Sequence, residues 1–167
     1  MLDHVVQYLR SHEVPFRLFS HPSPEPLPAV AYRLPSGGIM LETHVLLVGG
    51  RPAIACTTRG AKLNLPRLRS DLGAEVIEGS AEDLPPPYTG VSGPMPPLGR
   101  AIGALTLIDE AVTAASAVAF AAFASTDIVE IPYDDFSRLE QPRIASFAIG
   151  GELPERSEAS APERWVA

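Results

Sequence analysis

The chain is short of most of the residues on which familiar active sites are built. One cysteine, Cys56, in 167 residues excludes an intrachain disulfide and fits a reducing cytosol, so a cytoplasmic protein is expected. Its place in an apolar stretch makes an inert buried thiol the expectation rather than a nucleophile. The four histidines, His4, His12, His21 and His44, are scattered and no pair has metal-ligand spacing, so no metal site is expected. There is no Walker loop, no G-x-G-x-x-G opening a helix after a strand and no G-x-S-x-G elbow, and no cofactor is expected. No apolar run approaches the eighteen residues of a membrane span, and the opening MLDHVVQYLRSHE lacks the basic-then-apolar order of a secretory signal. Basic residues are outnumbered, giving a net charge of −7. That argues against a general DNA or RNA binder, which needs a basic footprint, but not against an enzyme that touches only the end of an RNA.

What is present is a loop. Gly90 to Gly103 reads GVSGPMPPLGRAIG, with four glycines and three prolines in fourteen residues. Neither a helix nor an interior strand tolerates that composition. The bland reading is a long surface connection. The functional reading is a shaped wall whose backbone N–H groups face an anion or a carbonyl oxygen. It runs directly into the apolar strand Ala104 to Ile108, a firm support for such a wall.

Leu2, Val5, Val6 and Leu9 form one apolar stripe of a helix over residues 2 to 12, with His4 and His12 expected on its solvated side. Phe16 to Ser20 alternates as a strand, ending at His21, a candidate site-lining residue. Pro22 to Gly38 is irregular, with a possible short helix at 28 to 34. Thr43 to Val48, Gly49-Gly50 and Pro52 to Thr57 read as a hairpin. Asn64 caps a helix that carries Pro66 in its first turn and stops at Gly73, with Arg67 and Arg69 off its apolar face. A strand at 74 to 78 and a serine-capped turn at 80 to 83 lead into the loop. Asp109-Glu110 cap a turn. Strands follow at 117 to 123 and 127 to 131, then a helix at 132 to 139 carrying Tyr133, Phe136 and Leu139 inward, and a closing strand at 144 to 149. These elements predict one α+β domain over residues 1 to 149, with about seven strands and short flanking helices, and a polar tail at 150 to 167 in which Trp165 could dock.

The runs KLNLPRLRSDLGA (62 to 74) and PPLG before a strand ending in Ile108-Asp109, in this order of elements, resemble the YbaK family of aminoacyl-tRNA deacylases, which includes free-standing editing proteins and the editing domain of bacterial prolyl-tRNA synthetases. The resemblance covers roughly residues 12 to 148. It implies a mixed, mostly antiparallel sheet flanked by helices, and a pocket for the aminoacyl group at a tRNA acceptor end. The family's G-x-x-x-P wall matches Gly93 to Pro97 (GPMPP), because Pro97-Leu98-Gly99 then takes the family's usual place. Gly90 to Pro94 also fits the letters. In the family, loop amides orient the ester carbonyl and water attacks it, with help from a substrate hydroxyl. Thr43 stands where relatives usually carry a lysine, and Lys62 belongs to another element. Phe123 stands in FAST, where relatives often have a glycine-containing turn.

The resemblance thus implies Gly93, Pro97 and Thr43 as the catalytic wall, with His44, Pro94, Met95, Leu98, Gly99, Phe123 and Ser125 lining the substrate; His21, from its place at a strand end, is a further substrate-lining candidate. The leading expectation is a deacylase acting in trans on mischarged aminoacyl-tRNA. The alternatives are a non-catalytic relative that keeps the pocket for a small ligand or an aminoacyl end, and an unrelated small-molecule hydrolase on the same fold.

Overall fold

The apolar stripe at Leu2, Val5, Val6 and Leu9 forms helix α1 (Leu2–Ser11), with Val5 and Leu9 fully buried. The computed structural model describes residues 1–20 and 38–151; the possible helix at 28 to 34, His21 and Trp165 lie outside the described residues. Strands β1 (Arg17–Ser20), β2 (Ile39–Val48), β3 (Arg51–Thr58), β6 (Leu105–Asp109), β7 (Ala117–Ala122), β8 (Ala124–Pro132) and β9 (Arg143–Ala145) form one sheet in the order β1-β8-β7-β2-β3-β6-β9, and β5 (Val76–Glu78) adds to β2. Pairing is mostly antiparallel, with parallel contacts at β2–β7, β3–β6 and β6–β9. The domain is α+β, as the sequence predicts.

The strand count differs. Among the described residues eight strands make the main sheet, and β4 (Lys62–Leu63) pairs with β10 (Ala148–Ile149) in a separate ribbon. The single closing strand expected at 144 to 149 is broken, because the Phe147 and Ala148 N–H groups turn to the Asp109 carboxylate instead of continuing a ladder. Two-residue strands leave no alternation to read.

Register assigns side chains to faces. In the β2–β3 pair Thr43 lies opposite Cys56 and Val45 opposite Ile54, whereas His44 lies opposite Ala55 and Leu46 opposite Ala53. The Thr43 face carries the larger core, covered by Val5 and Leu9 of α1, Leu98 and Ile102 of the loop, and Phe136 and Leu139 of helix α3 (Tyr133–Glu140). The His44 face carries a smaller core with Leu68 of helix α2 (Leu65–Leu72) and Phe147. Asn64 accepts from the Arg67 N–H and Gly73 closes α2 in the left-handed conformation, as the cap signals require. Among the described residues no helix is long and apolar enough to cross a membrane.

Candidate functional site

The Gly/Pro segment is a shaped wall fixed at both ends. At one end Gly93 adopts φ +95°, a conformation that side chains rarely tolerate. It lies so close to the turn between β7 and β8 that a Cβ would fall inside van der Waals contact with the Phe123 carbonyl oxygen and 2.9 Å from its carbon. The Phe123 N–H donates to the Pro94 carbonyl at 2.8 Å. Phe123 itself has φ +65°, strained for a bulky residue. Its ring meets Tyr88 edge-on with centroids 5.0 Å apart, and Tyr88 meets His4 of α1 at 5.6 Å. In mid-loop the Thr43 hydroxyl donates to the Met95 carbonyl.

At the other end Pro96 to Gly99 are buried. A Cβ on Gly99 would meet the Thr106 hydroxyl at 2.6 Å, so the chain passes directly over β6. A 3-10 turn, Gly99–Ile102, then brings the Arg100 N–H to Glu140 Oε2 at 2.9 Å. The same oxygen accepts from Thr106 Oγ1 at 2.9 Å, and Oε1 accepts from the Tyr8 hydroxyl at 3.4 Å. Burial pushes the Glu140 carboxyl above its usual range, opposed by these hydrogen bonds and by the Arg100 charge.

Gly93, Pro94, Met95, Thr43 and Phe123 therefore meet at one place. Pro97, Leu98 and Gly99 belong to the loop's support: all three are buried, and Leu98 sits in the core. His44 is not brought to this place, because adjacent strand residues face opposite ways. Its Nε2 lies 3.2 Å from Thr57 Oγ1 on the far side of the sheet. Ser125 falls in β8 just past the turn, and His21 lies outside the described residues. His4 departs from its expected solvated position: Nδ1 is buried with no hydrogen-bond partner among the described residues, and its ring sits against Tyr88. Lys62 is exposed in β4.

The N–H groups of Gly93 and Met95 donate to no group among the described residues. Such donors can hold a developing oxyanion. Cys56 supplies no nucleophile, since full burial raises its thiol pKa far above the usual range. No group of three or more His, Cys, Asp or Glu positioned for a metal occurs among the described residues. Sequence reasoning missed Tyr88 and Glu140. Tyr88 follows three prolines and reads as loop, while Glu140 carries the pattern of any helix-end glutamate.

His44 has its own consequence. Burial lowers its pKa below the ordinary 6.5, outweighing the raising effects of Glu42 and Glu78. The unfolded chain then takes up a proton first, so this contribution to stability is present above about pH 6.5 and lost as pH falls through the folded-state value. His44→Gln is expected to flatten the fall in urea midpoint between about pH 7 and 5. An unchanged slope would contradict the assignment.

No known family description and no curated protein matches the chain. Solved structures do. A candidate signal transduction protein of Marinobacter aquaeolei matches with a TM-score of 0.67 and 19% identity, over 89% of this chain and 31% of its own. The chain thus spans about a third of that protein. A hypothetical protein matches with a TM-score of 0.66 and 15% identity, over 87% of this chain and 99% of its own. A candidate trans-editing enzyme for prolyl-tRNA synthetase matches with a TM-score of 0.64 and 14% identity, over 89% of this chain and 96% of its own. At these identities the likeness establishes a shared fold.

Proposed function

We propose that the chain is a deacylase that hydrolyses the ester of mischarged aminoacyl-tRNA at the Gly93–Pro97 wall. The observation that carries this reading is the pair of N–H groups at Gly93 and Met95 that donate to no group among the described residues, on a loop held by Thr43 and the Phe123 turn. The fold shared with a candidate trans-editing enzyme supports it. In this reading the 3′ end of a tRNA enters beside Gly93 and the ester carbonyl accepts from the loop amides. Water then attacks with help from a ribose hydroxyl of the substrate. The protein contributes position and oxyanion stabilisation, so no side-chain nucleophile is needed.

The test is deacylation of a panel of mischarged tRNAs. At least one is expected to be hydrolysed faster than in buffer. Thr43→Val removes the tether to Met95, worth about 1 kcal/mol, and is expected to slow that reaction roughly fivefold. A panel in which no tRNA exceeds buffer would sink the reading.

A second reading, a non-catalytic binding module, is favoured by the state of Thr43. Its hydroxyl proton is committed to the Met95 carbonyl, so it is not offered to a substrate. Binding of a non-hydrolysable aminoacyl-adenosine without turnover of any mischarged tRNA would select it.

A further inference from the structure

On the Thr43 side of the molecule, beyond the buried end of the loop, lies a cleft of about 290 Å³ lined by Tyr8, His12, Arg100, Ala101, Arg138 and Leu139. We propose that this cleft binds a phosphate group, gripped between Arg100 and Arg138. The two guanidiniums come from separate elements, the 3-10 turn at the end of the loop and α3. In an acidic chain with thirteen basic residues, two facing one cleft is a local reversal of sign.

Neither guanidinium is used up. That of Arg100 makes one long hydrogen bond, 3.5 Å to the Leu139 carbonyl; the Arg100 main-chain N–H hydrogen-bonds Glu140, which the guanidinium affects only through its charge. Arg138 pairs with Asp135 at 2.9 Å, but its side chain is 58% exposed, where such a pair is weak. Each guanidinium has five N–H donors. Glu140, the carboxylate behind the cleft, already accepts from Arg100 N–H, Thr106 and Tyr8. The His12 ring lies 4.5 Å from Tyr8, with Nδ1 2.9 Å from the Tyr8 carbonyl, which fixes the rim.

Geometry favours phosphate over carboxylate. One planar fork can saturate a carboxylate, whereas a tetrahedral phosphate offers oxygens to forks arriving from two directions. The volume is small for a whole ligand, so the site grips one group of something that continues into solvent. That group belongs either to a nucleic-acid backbone or to a small phosphate compound.

Binding is measured at low salt with an unacylated RNA minihelix ending in a single-stranded tail, with AMP and with inorganic phosphate. Because no probe carries an acyl group, the outcome is separable from success or failure of the deacylase reading. Arg100→Gln and Arg138→Gln are each expected to weaken the minihelix by about fivefold. Each should also lower the slope of log K against log salt by roughly 1. Arg51→Gln, at the exposed β2–β3 turn, should change neither. Binding of AMP and phosphate with the same arginine dependence, and none of the minihelix, would assign the site to a small phosphate compound. Affinities independent of both arginines for every probe, or an equal loss in Arg51→Gln, would overturn the proposal. Arg138 reaches solvent, so the thermal midpoint of Arg138→Gln should stay at the parent value, whereas Arg100→Gln also removes a charge that favours ionised Glu140 and should lower the midpoint slightly.

Discussion

Gly93→Ala is expected to lower stability by about 2–4 kcal/mol and to reduce any deacylation by on the order of 100-fold. Two costs combine. A residue with a Cβ at φ +95° is strained, and that Cβ would overlap the Phe123 carbonyl, which is backbone and cannot swing aside as a side chain would. Either the loop lifts away from the β7–β8 turn or the turn rotates. Both break the Phe123 N–H to Pro94 carbonyl bond and shift the Gly93 and Met95 amides from any oxyanion they hold. For a domain of this size the stability loss corresponds to a fall in Tm of roughly 5–15 °C. Phe123→Gly in the same chain should restore part of it, because glycine lets the turn rotate its carbonyl and removes the strain at φ +65°. A Gly93→Ala protein with unchanged Tm and unchanged rate would show that the close approach has no role. Activity lost at unchanged Tm would separate the catalytic role from the structural one.

Glycine and proline content marked this loop as shaped, and the Pro97-Leu98-Gly99 match placed Gly93 within it. The contact that makes Gly93 obligatory was not legible. It depends on Phe123, thirty residues later, adopting a left-handed turn for which phenylalanine gives no local signal. Period-2 and 3.6-residue patterns located α1, α2, α3 and the long strands, because each buries one face. The same alternation explains the misplacement of His44. Neighbours on a strand point apart, so proximity in sequence to Thr43 placed it on the opposite face. His4 was misread for a related reason. Its side of α1 would be solvated if the helix packed only on the sheet, but Tyr88 covers it.

Strand β6 links these observations. The loop feeds it directly, and a buried carboxylate braces each end. Glu140 joins Thr106 near its start to the Arg100 N–H of the loop, and Asp109 at its finish joins the turn after it to the segment between β9 and β10. The wall at Gly93 is thus carried on a strand whose two ends are pinned to α3 and to the C-terminal ribbon. Such bracing would hold the loop amides in place without a reorganisation cost in the proposed reaction.

That architecture makes Asp109→Ala the second large effect. Asp109 Oδ1 accepts from the Phe147 N–H at 2.9 Å and the Ala148 N–H at 2.8 Å, and Oδ2 accepts from the Ala111 N–H at 2.9 Å. Alanine leaves all three donors without this acceptor in a region where Asp109 and Phe147 are buried. Burying unpaired donors costs about 1–3 kcal/mol each, and part of that is relieved if the segment opens to water, so a loss of about 3–5 kcal/mol is expected. Against a typical stability of about 5–15 kcal/mol this brings the variant close to unfolding. Asp109→Asn should fall between, because its amide oxygen can still accept from Phe147 and Ala148 while its NH₂ meets the Ala111 N–H as donor against donor. Urea midpoints in the order wild type, Asn, Ala are the expected result. The segment from Arg143 to Ile149 should also lose hydrogen-exchange protection before the β2–β3 hairpin does. Asn and Ala variants of equal stability, or exchange that rises uniformly over the sheet, would show that this carboxylate does not pin the strand on which the loop rests.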